Sequence, residues 1–251
     1  MGLFSRPPRA DPLPEYVVVV SPRARRVRLT VKPGEPVRVT VPRGFPARKA
    51  AEVVAGATAW IARTRERVEA QAEAVRDRAA EPLPDVVDLP GVGLTYEVLY
   101  RRTQASGVRA IVRTPGVVTV EGRVSDEAAC AQALRRWLLA TAKRELGAMA
   151  RDVAEELGCS PRSIAVTWPR RRWGSCTSAG DIRLSAELVF LPAQEARGII
   201  VHELAHLAVL DHSPRFYAEV RRLDPSATPG RRRVPRHEVH TPGWAIRPRP
   251  E

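Results

Sequence analysis

Cysteine is scarce in this sequence of 251 residues, which contains only Cys130, Cys159 and Cys176. The three are widely spaced and include no C-x-x-C pair, which argues against both a disulfide framework and a thiolate zinc site. Long apolar runs are also missing: residues 17–20 are four valines, far short of the roughly 20 apolar residues that a transmembrane helix needs. The polar, proline-rich start lacks the apolar stretch of a secretory signal. We therefore expect a cytoplasmic protein without a membrane span.

Lysine is nearly absent too, so arginine carries almost all of the positive charge. The chain has 41 basic and 28 acidic residues, which gives a net charge of +13 at pH 7. An excess of this size attracts polyanions through a salt-sensitive term that is independent of their sequence. The composition therefore makes nucleic acid, or another polyanion, a candidate partner through a basic surface. It gives no indication of the oligomeric state.

Proline content and charge divide the chain into four segments. We expect a flexible lead-in at residues 1–15, a β-rich region at 16–124, a catalytic region at 125–224 and a basic, poorly ordered tail rich in proline and arginine at 225–251. Hydrophobic residues make up 44% of the chain and charged residues 27%, which are ordinary values for a globular protein. The middle two segments are therefore expected to fold.

Alternating apolar residues predict two groups of strands. The pattern on either side of Pro33-Gly34 predicts a β-hairpin over residues 27–41, with arginines on its outer face. A second group of short strands is predicted near residues 94–100, 110–112 and 117–120. Turn-forming residues at 170–180, between two further apolar segments, predict a second hairpin or β-loop.

Helices are predicted where the apolar spacing changes and where capping residues stand. Ser125 is a suitable N-cap, Pro192 suits a first helical turn, and Ser213-Pro214 combines both signals. Gly56 weakens the middle of the first helix because glycine has low helix propensity. The predicted helices cover residues 47–80, 125–158, 192–210 and a segment beginning at 213.

The motif that carries chemistry is H-E-x-x-H at residues 202–206. On a helix, the i, i+4 spacing places His202 and His206 on one face, where both imidazoles can bind a single ion. Neutral imidazole suits zinc, and a catalytic zinc site has three protein ligands, so we expect one Zn²⁺ per chain and a third ligand. His212 is favoured because it follows the predicted end of the helix. Glu219 is its rival, as in zinc sites built from two histidines and a carboxylate.

This site predicts hydrolysis with Glu203 as the catalytic base. Zinc acidifies water and polarises the attacked group, while Glu203 accepts the proton and later returns it to the leaving group. A second electrophile usually stabilises the developing oxyanion. The sequence does not distinguish among the candidates for that role, which are Tyr217, Arg172, His237 and His240.

Four sequence segments together resemble the YgjP-like family of zinc metallopeptidases, and more distantly SprT-type proteases. They are the run from Arg172 through W-G-S-C to Cys176, the I-R-L at 182–184, the H-E-L-A-H at 202–206 and the H-S-P-R-F at 212–216. The resemblance covers about residues 20–223. It implies that His202, His206 and His212 bind zinc and that Glu203 is the catalytic base. We expect an α+β fold: an N-terminal β-rich unit with a long helix, then a zincin-like catalytic unit with a small antiparallel sheet and an HExxH active-site helix.

The histidine spacing also matches the metzincin pattern, but Val209 stands where metzincins have glycine. A β-branched valine resists the left-handed turn that glycine allows. No Met-turn is apparent either. We therefore expect the chain to bring His212 back to the metal by a different route.

Two neighbouring features have more than one interpretation. The W-G-S-C run at 173–176 either packs an indole against the active-site helix, which is favoured, or forms a cleft wall that meets substrate. Arg170, Arg171 and Arg172 form either a solvated face or an anion-binding rim. An anion-binding rim facing the zinc would favour an acidic or phosphorylated substrate.

Three functions compete. The leading hypothesis is a zinc-dependent peptidase acting on a peptide or protein, in which the strand near residues 182–184 pairs with the extended substrate. The second keeps the metal but hydrolyses a phosphoanhydride such as a nucleoside triphosphate. The third is a nucleic-acid-associated protein in which the metal acts on bound protein or is structural.

Overall fold

The structure, a computed structural model, describes residues 13–46, 48–79, 81–169, 172–225 and 241–246. It divides into two compact units, Met1–Asp77 and Arg78–Glu251. Most of the predicted lead-in, part of the predicted tail, and Arg170, Arg171, His237 and His240 lie outside the described residues.

The first unit contains a three-stranded sheet and helices. Its strands are β1 (Tyr16–Val20), β2 (Arg28–Thr30) and β3 (Val37–Val41), in the order β1-β3-β2. The antiparallel β2–β3 pair is the hairpin predicted from the valine alternation. Val37, Val39 and Val41 point inward, where they form a small core with residues of the following helices.

The predicted helix over residues 47–80 is two helices, α1 (Arg48–Gly56) and α2 (Thr58–Ala79), so that prediction is wrong in its middle. The break falls beside Gly56, the residue with the lowest helix propensity in the segment. The Thr58 hydroxyl donates to the carbonyls of Val54 (3.2 Å) and Ala55 (3.0 Å), a local side-chain to backbone bond of the kind that often bends a helix. Ala47 and Ala80 lie outside the described residues.

The second unit begins with a four-stranded sheet backed by a long helix. The strands are β4 (Val86–Leu89), β5 (Leu94–Arg102), β6 (Val108–Thr114) and β7 (Val117–Gly122), in the order β4-β5-β7-β6. Helix α3 (Glu127–Glu156) buries Leu134, Leu138 and Leu146 in the main core. Its N-cap is Asp126, not the predicted Ser125, because the Asp126 carboxylate accepts a hydrogen bond from the Ala129 N–H (2.9 Å).

A smaller sheet and two helices complete the second unit. The strands are β8 (Ser163–Thr167), β9 (Gly174–Cys176) and β10 (Asp181–Ser185), and the helices are α4 (Ala193–Ala205) and α5 (Pro214–Leu223). The order β8-β10-β9 puts β10 in the centre. The β9–β10 pair is antiparallel, as predicted, but β8 is parallel to β10, so the small sheet is mixed. The α+β fold class is confirmed.

Part of the predicted tail at residues 225–251 is packed into the core, which corrects the expectation of a poorly ordered segment there. Trp244 is only 5% exposed and belongs to the main core cluster. Its carbonyl accepts a hydrogen bond from Arg135 Nη1 of α3 (2.8 Å), and the neighbouring Gly243 N–H donates to Glu81 (3.1 Å). The charge and proline content of this segment predicted disorder, but the apolar area that one buried indole removes from water is enough to dock a polar segment.

We expect Trp244→Ala to lower the free energy of unfolding of the second unit by about 3–5 kcal/mol, because it leaves a cavity where an indole was buried. The matched control is Trp60→Ala, since Trp60 is 43% exposed. Thermal and denaturant unfolding of both variants checks the prediction. Equal, small effects from the two substitutions would show that residues 241–246 are not docked.

Within the described part of the chain, no helix combines the length and apolar character required to cross a membrane.

Candidate metal centre

Helix α4 carries the H-E-x-x-H motif, and its end lies earlier than predicted. The helix stops at Ala205 with His206 as its C-cap, rather than continuing toward Leu210. The next turn tightens: the Leu207 and Ala208 N–H groups donate to carbonyls three residues back, at 3.0 and 3.2 Å. His202 and His206 still share a face, with ring centroids 5.0 Å apart.

The tight turn orients the His206 ring. His206 Nδ1 lies 2.9 Å from the carbonyl oxygen of Val209. Because a carbonyl only accepts, Nδ1 carries the proton and donates, which leaves the Nε2 lone pair available for a metal. No described non-glycine residue has a positive φ, so Val209 avoids the left-handed conformation of a metzincin glycine. The chain therefore returns by a different route, as predicted.

His212 arrives at the site from the short connection between α4 and α5. Its Nε2 lies 3.2 Å from Nε2 of His202. The Asp211 carboxylate accepts a hydrogen bond from the Ser213 N–H (2.9 Å), which fixes the turn before α5. Hydrogen bonds from Ser213 also hold the pKa of Asp211 below its usual range.

The three histidines offer ring nitrogens that all lie within 4.8 Å of one another. In a tetrahedral site with Zn–N bonds of 2.0–2.1 Å, two nitrogen ligands are about 3.3 Å apart, close to the separation of the His202 and His212 nitrogens. Three neutral imidazoles are also a donor set that zinc prefers. The residues present therefore fit a zinc ion.

The Phe216 ring packs against all three imidazoles, a role that the sequence analysis missed. It is fully buried in the first turns of α5, and its ring stacks on His206 with centroids 4.4 Å apart. The centroids of His202 and His212 are 4.7 and 4.9 Å from it. The sequence did contain a signal for this role. Phe216 is an apolar residue four positions after His212, in the first turn of the helix that Ser213-Pro214 begins.

Glu203 is 6% exposed and packs against strand β9. A Cβ built on Gly174 would lie 2.6 Å from Glu203 Cγ and 2.7 Å from both Cδ and Oε1. Gly174 does not have a positive φ, so its backbone does not require glycine. The space that Gly174 leaves is therefore filled by the Glu203 carboxylate. Burial first, and then the charge of Glu203, raises the pKa of the Cys176 thiol on the same strand.

The W-G-S-C run agrees with the favoured packing interpretation, while a contact of this run with substrate stays a prediction. Trp173 packs in the main core, as favoured, while Gly174 on the opposite face lies against Glu203. The other prediction for this region, that residues 182–184 pair with substrate, is wrong. Strand β10 is already hydrogen-bonded to β8 on one side and to β9 on the other, so β9 is the edge strand beside α4.

The structure describes three of the other candidate residues, Glu219, Tyr217 and Arg172. Both oxygens of Glu219 accept hydrogen bonds from Arg222 (2.7 and 2.8 Å), and these bonds lower the pKa of Glu219. Tyr217 is 42% exposed, and Arg172 is exposed as well. Of the His, Cys, Asp and Glu residues that the structure describes, those clustered for a metal are His202, His206 and His212.

A model of a known protein family matches most of the chain. The family model described as "YgjP-like, metallopeptidase domain" matches residues 25–237. The chain belongs to the YgjP-like family. At the level of this family it is a metal-dependent peptidase, and its substrates are peptides.

One solved structure is also similar, the crystal structure of the metallopeptidase zymogen of Pyrococcus abyssi abylysin. It is 24% identical, and the match covers 32% of this chain and 80% of that chain with a TM-score of 0.29. A TM-score this low does not establish a shared fold. No curated protein matches the chain.

Proposed function

We propose that this YgjP-like protein is a zinc-dependent peptidase in which His202, His206 and His212 hold one Zn²⁺ per chain and Glu203 is the general base. The observation that carries the proposal is the convergence of three imidazoles within 4.8 Å, with a buried carboxylate on the residue that follows the first of them. All four residues fall within 125–224, which we propose as the catalytic segment of the unit Arg78–Glu251.

The bound zinc ion would supply a Lewis acid that acidifies water and polarises the scissile carbonyl. Glu203 would take the proton from the attacking water at its carboxylate while the water oxygen bonds to the carbonyl carbon. The same carboxylate then gives that proton to the amide nitrogen as the C–N bond breaks, so it returns to its ionised form. Packing against β9 keeps this group in one place between the two transfers.

Strand β9 is the best candidate for aligning the peptide. Trp173 O accepts from Ser185 N (2.7 Å) and Thr177 N donates to Asp181 O (3.0 Å), so every second residue of this segment bonds to β10. In an antiparallel ladder the residues between them, Gly174 and Cys176, direct their backbone groups to the other edge. An extended peptide could add there as a further strand, beside Glu203.

Cleavage of a mixed peptide library tests the proposal. The zinc-loaded chain should hydrolyse peptides, lose activity with a chelator and regain it when zinc is returned. A zinc-loaded chain that hydrolyses nucleoside triphosphates and leaves every peptide intact would overturn it in favour of phosphoanhydride hydrolysis.

We expect Gly174→Ala to lower kcat by about 10²-fold, because the new methyl group displaces the Glu203 carboxylate and misplacement of a catalytic group by about 1 Å costs that much. Zinc content should not change, since the three atoms nearest to the new Cβ all belong to Glu203 and none belongs to a histidine. Steady-state kinetics and metal analysis of the same preparation check both parts.

The matched control is Gly198→Ala on α4, where a new Cβ has no atom within 4 Å. That variant should keep its kcat. Adding Glu203→Gln to Gly174→Ala should cost far less than it costs in the wild type, because the carboxylate is already displaced. Full additivity of the two substitutions would contradict a positioning role for Gly174.

A further inference from the structure

The first unit carries an exposed cluster of six arginines, here called the arginine patch. All six side chains are exposed. Its members are Arg23, Arg25, Arg26, Arg28, Arg38 and Arg43.

The sheet topology brings most of the arginine patch to one end. Val20 of β1 pairs with Val41 of β3, and Arg28 of β2 pairs with Thr40 of β3. The loop from β1 to β2 and the turn after β3 therefore start at the same end of the sheet. The Ser21 N–H donates to the Val41 carbonyl (2.9 Å), which joins the two segments. That loop holds three of the arginines, Arg28 follows it, and Arg43 lies in the turn.

Arg38 extends the patch over the outer face of the sheet. Its neighbours Val37 and Val39 point into the core, so alternation along β3 directs Arg38 to the opposite face. Arg28 lies across from Thr40 and shares that outer face.

The described residues leave the positive charge of the arginine patch without neutralising partners. Residues 16–46 contain seven basic residues and one acidic residue, a net charge of +6 out of the chain's +13. The acidic residue, Glu35, is paired with Lys32 (3.0 Å). Among the residues described, no member of the arginine patch lies within ion-pairing distance of a carboxylate.

Arginines of the second unit behave differently. Arg101, Arg109 and Arg113 surround Glu121, which is 3% exposed and whose pKa is lowered to about 2, chiefly by the Arg101 hydrogen bond. Four more arginines each pair with a carboxylate: Arg144, Arg162, Arg197 and Arg222. Those arginines have carboxylate partners, whereas the members of the arginine patch have none among the described residues and repel one another.

We propose that the arginine patch binds the phosphate backbone of duplex nucleic acid, independently of base sequence. Guanidinium groups match phosphate with paired N–H donors, which favours this anion over a diffuse acidic surface. The aromatic residues near the patch, Tyr16 and Phe45, pack against the core of the unit and are not free to stack on bases. This argument is separate from the peptidase site.

The test is the salt dependence of binding of the full chain to a short DNA duplex of arbitrary sequence. The variant Arg25→Gln/Arg26→Gln/Arg28→Gln should reduce the slope of log affinity against log salt by about 3. At about 0.1 M salt its affinity should fall on the order of 100-fold.

The matched control removes three exposed arginines from α2 of the same unit, as Arg63→Gln/Arg67→Gln/Arg76→Gln. These arginines alternate with acidic residues, so the slope should change by less than about 1. Equal losses in the two triple variants would show that only net charge matters and would overturn the proposal.

Three further measurements keep the result interpretable. Arg25→Lys/Arg26→Lys/Arg28→Lys keeps the charge and should retain most of the slope, which separates charge loss from misfolding. Anionic phospholipid vesicles serve as the second probe, and tight vesicle binding without duplex binding would overturn the proposal. Glu203→Gln should bind duplex like the wild type, so failure of the peptidase proposal would not be mistaken for failure of this one.

Discussion

Replacing Glu203 with glutamine should lower kcat for peptide hydrolysis by about 10²–10⁴-fold while the chain keeps its zinc. The amide has the same shape as the carboxylate but cannot accept the proton from water, and general-base catalysis contributes a factor of this size. The histidines are unchanged, so metal affinity should stay near the wild-type value. Steady-state kinetics at saturating zinc measures kcat, and titration against a competing chelator measures zinc affinity.

Glu195→Gln is the matched control for this prediction. Glu195 lies in the first turn of the same helix, two turns before Glu203. It should retain wild-type kcat because the change is the same in charge and shape but far from the site. Undiminished hydrolysis by Glu203→Gln would contradict the assignment of the general base.

His212→Ala should weaken zinc binding by more than about 100-fold and abolish hydrolysis. Loss of even an outer partner of a metal ligand costs 10- to 100-fold in affinity, so loss of a direct ligand should cost more. Competition titration against a chelator of known affinity measures the change.

Glu219→Ala distinguishes the two candidate third ligands. Glu219 is engaged by Arg222, and its removal should free that arginine and leave zinc affinity unchanged. The reverse pattern, with zinc lost from Glu219→Ala and kept in His212→Ala, would show that the third ligand is the carboxylate.

The part of the site that the sequence predicts best depends on local geometry. A helical repeat alone places His202 and His206 on one face, and the Ser213-Pro214 start of α5 implies a turn beside His212. The α+β fold class, the first hairpin and three strands of the larger sheet, β5, β6 and β7, follow from apolar alternation in the same local way. Strand β4 was not predicted.

The remaining features depend on contacts between distant segments. Gly174 is 29 positions before Glu203, and only the packing of β9 against α4 reveals why glycine stands there. The position of β9 at the edge of the small sheet follows from strand order, which apolar alternation does not encode. For this reason the sequence analysis assigned substrate pairing to residues 182–184 of the central strand β10. Trp244 lies in a basic, proline-rich stretch, and its burial depends on the surface of α3.

The central claim is a three-histidine zinc centre. Anomalous diffraction at the zinc edge, from crystals of the tag-free, zinc-loaded chain, tests it most directly. We predict one peak per chain, at about 2.0–2.1 Å from one ring nitrogen each of His202, His206 and His212. A peak coordinated by Glu219, or no peak between the three imidazoles at saturating zinc, would contradict the account.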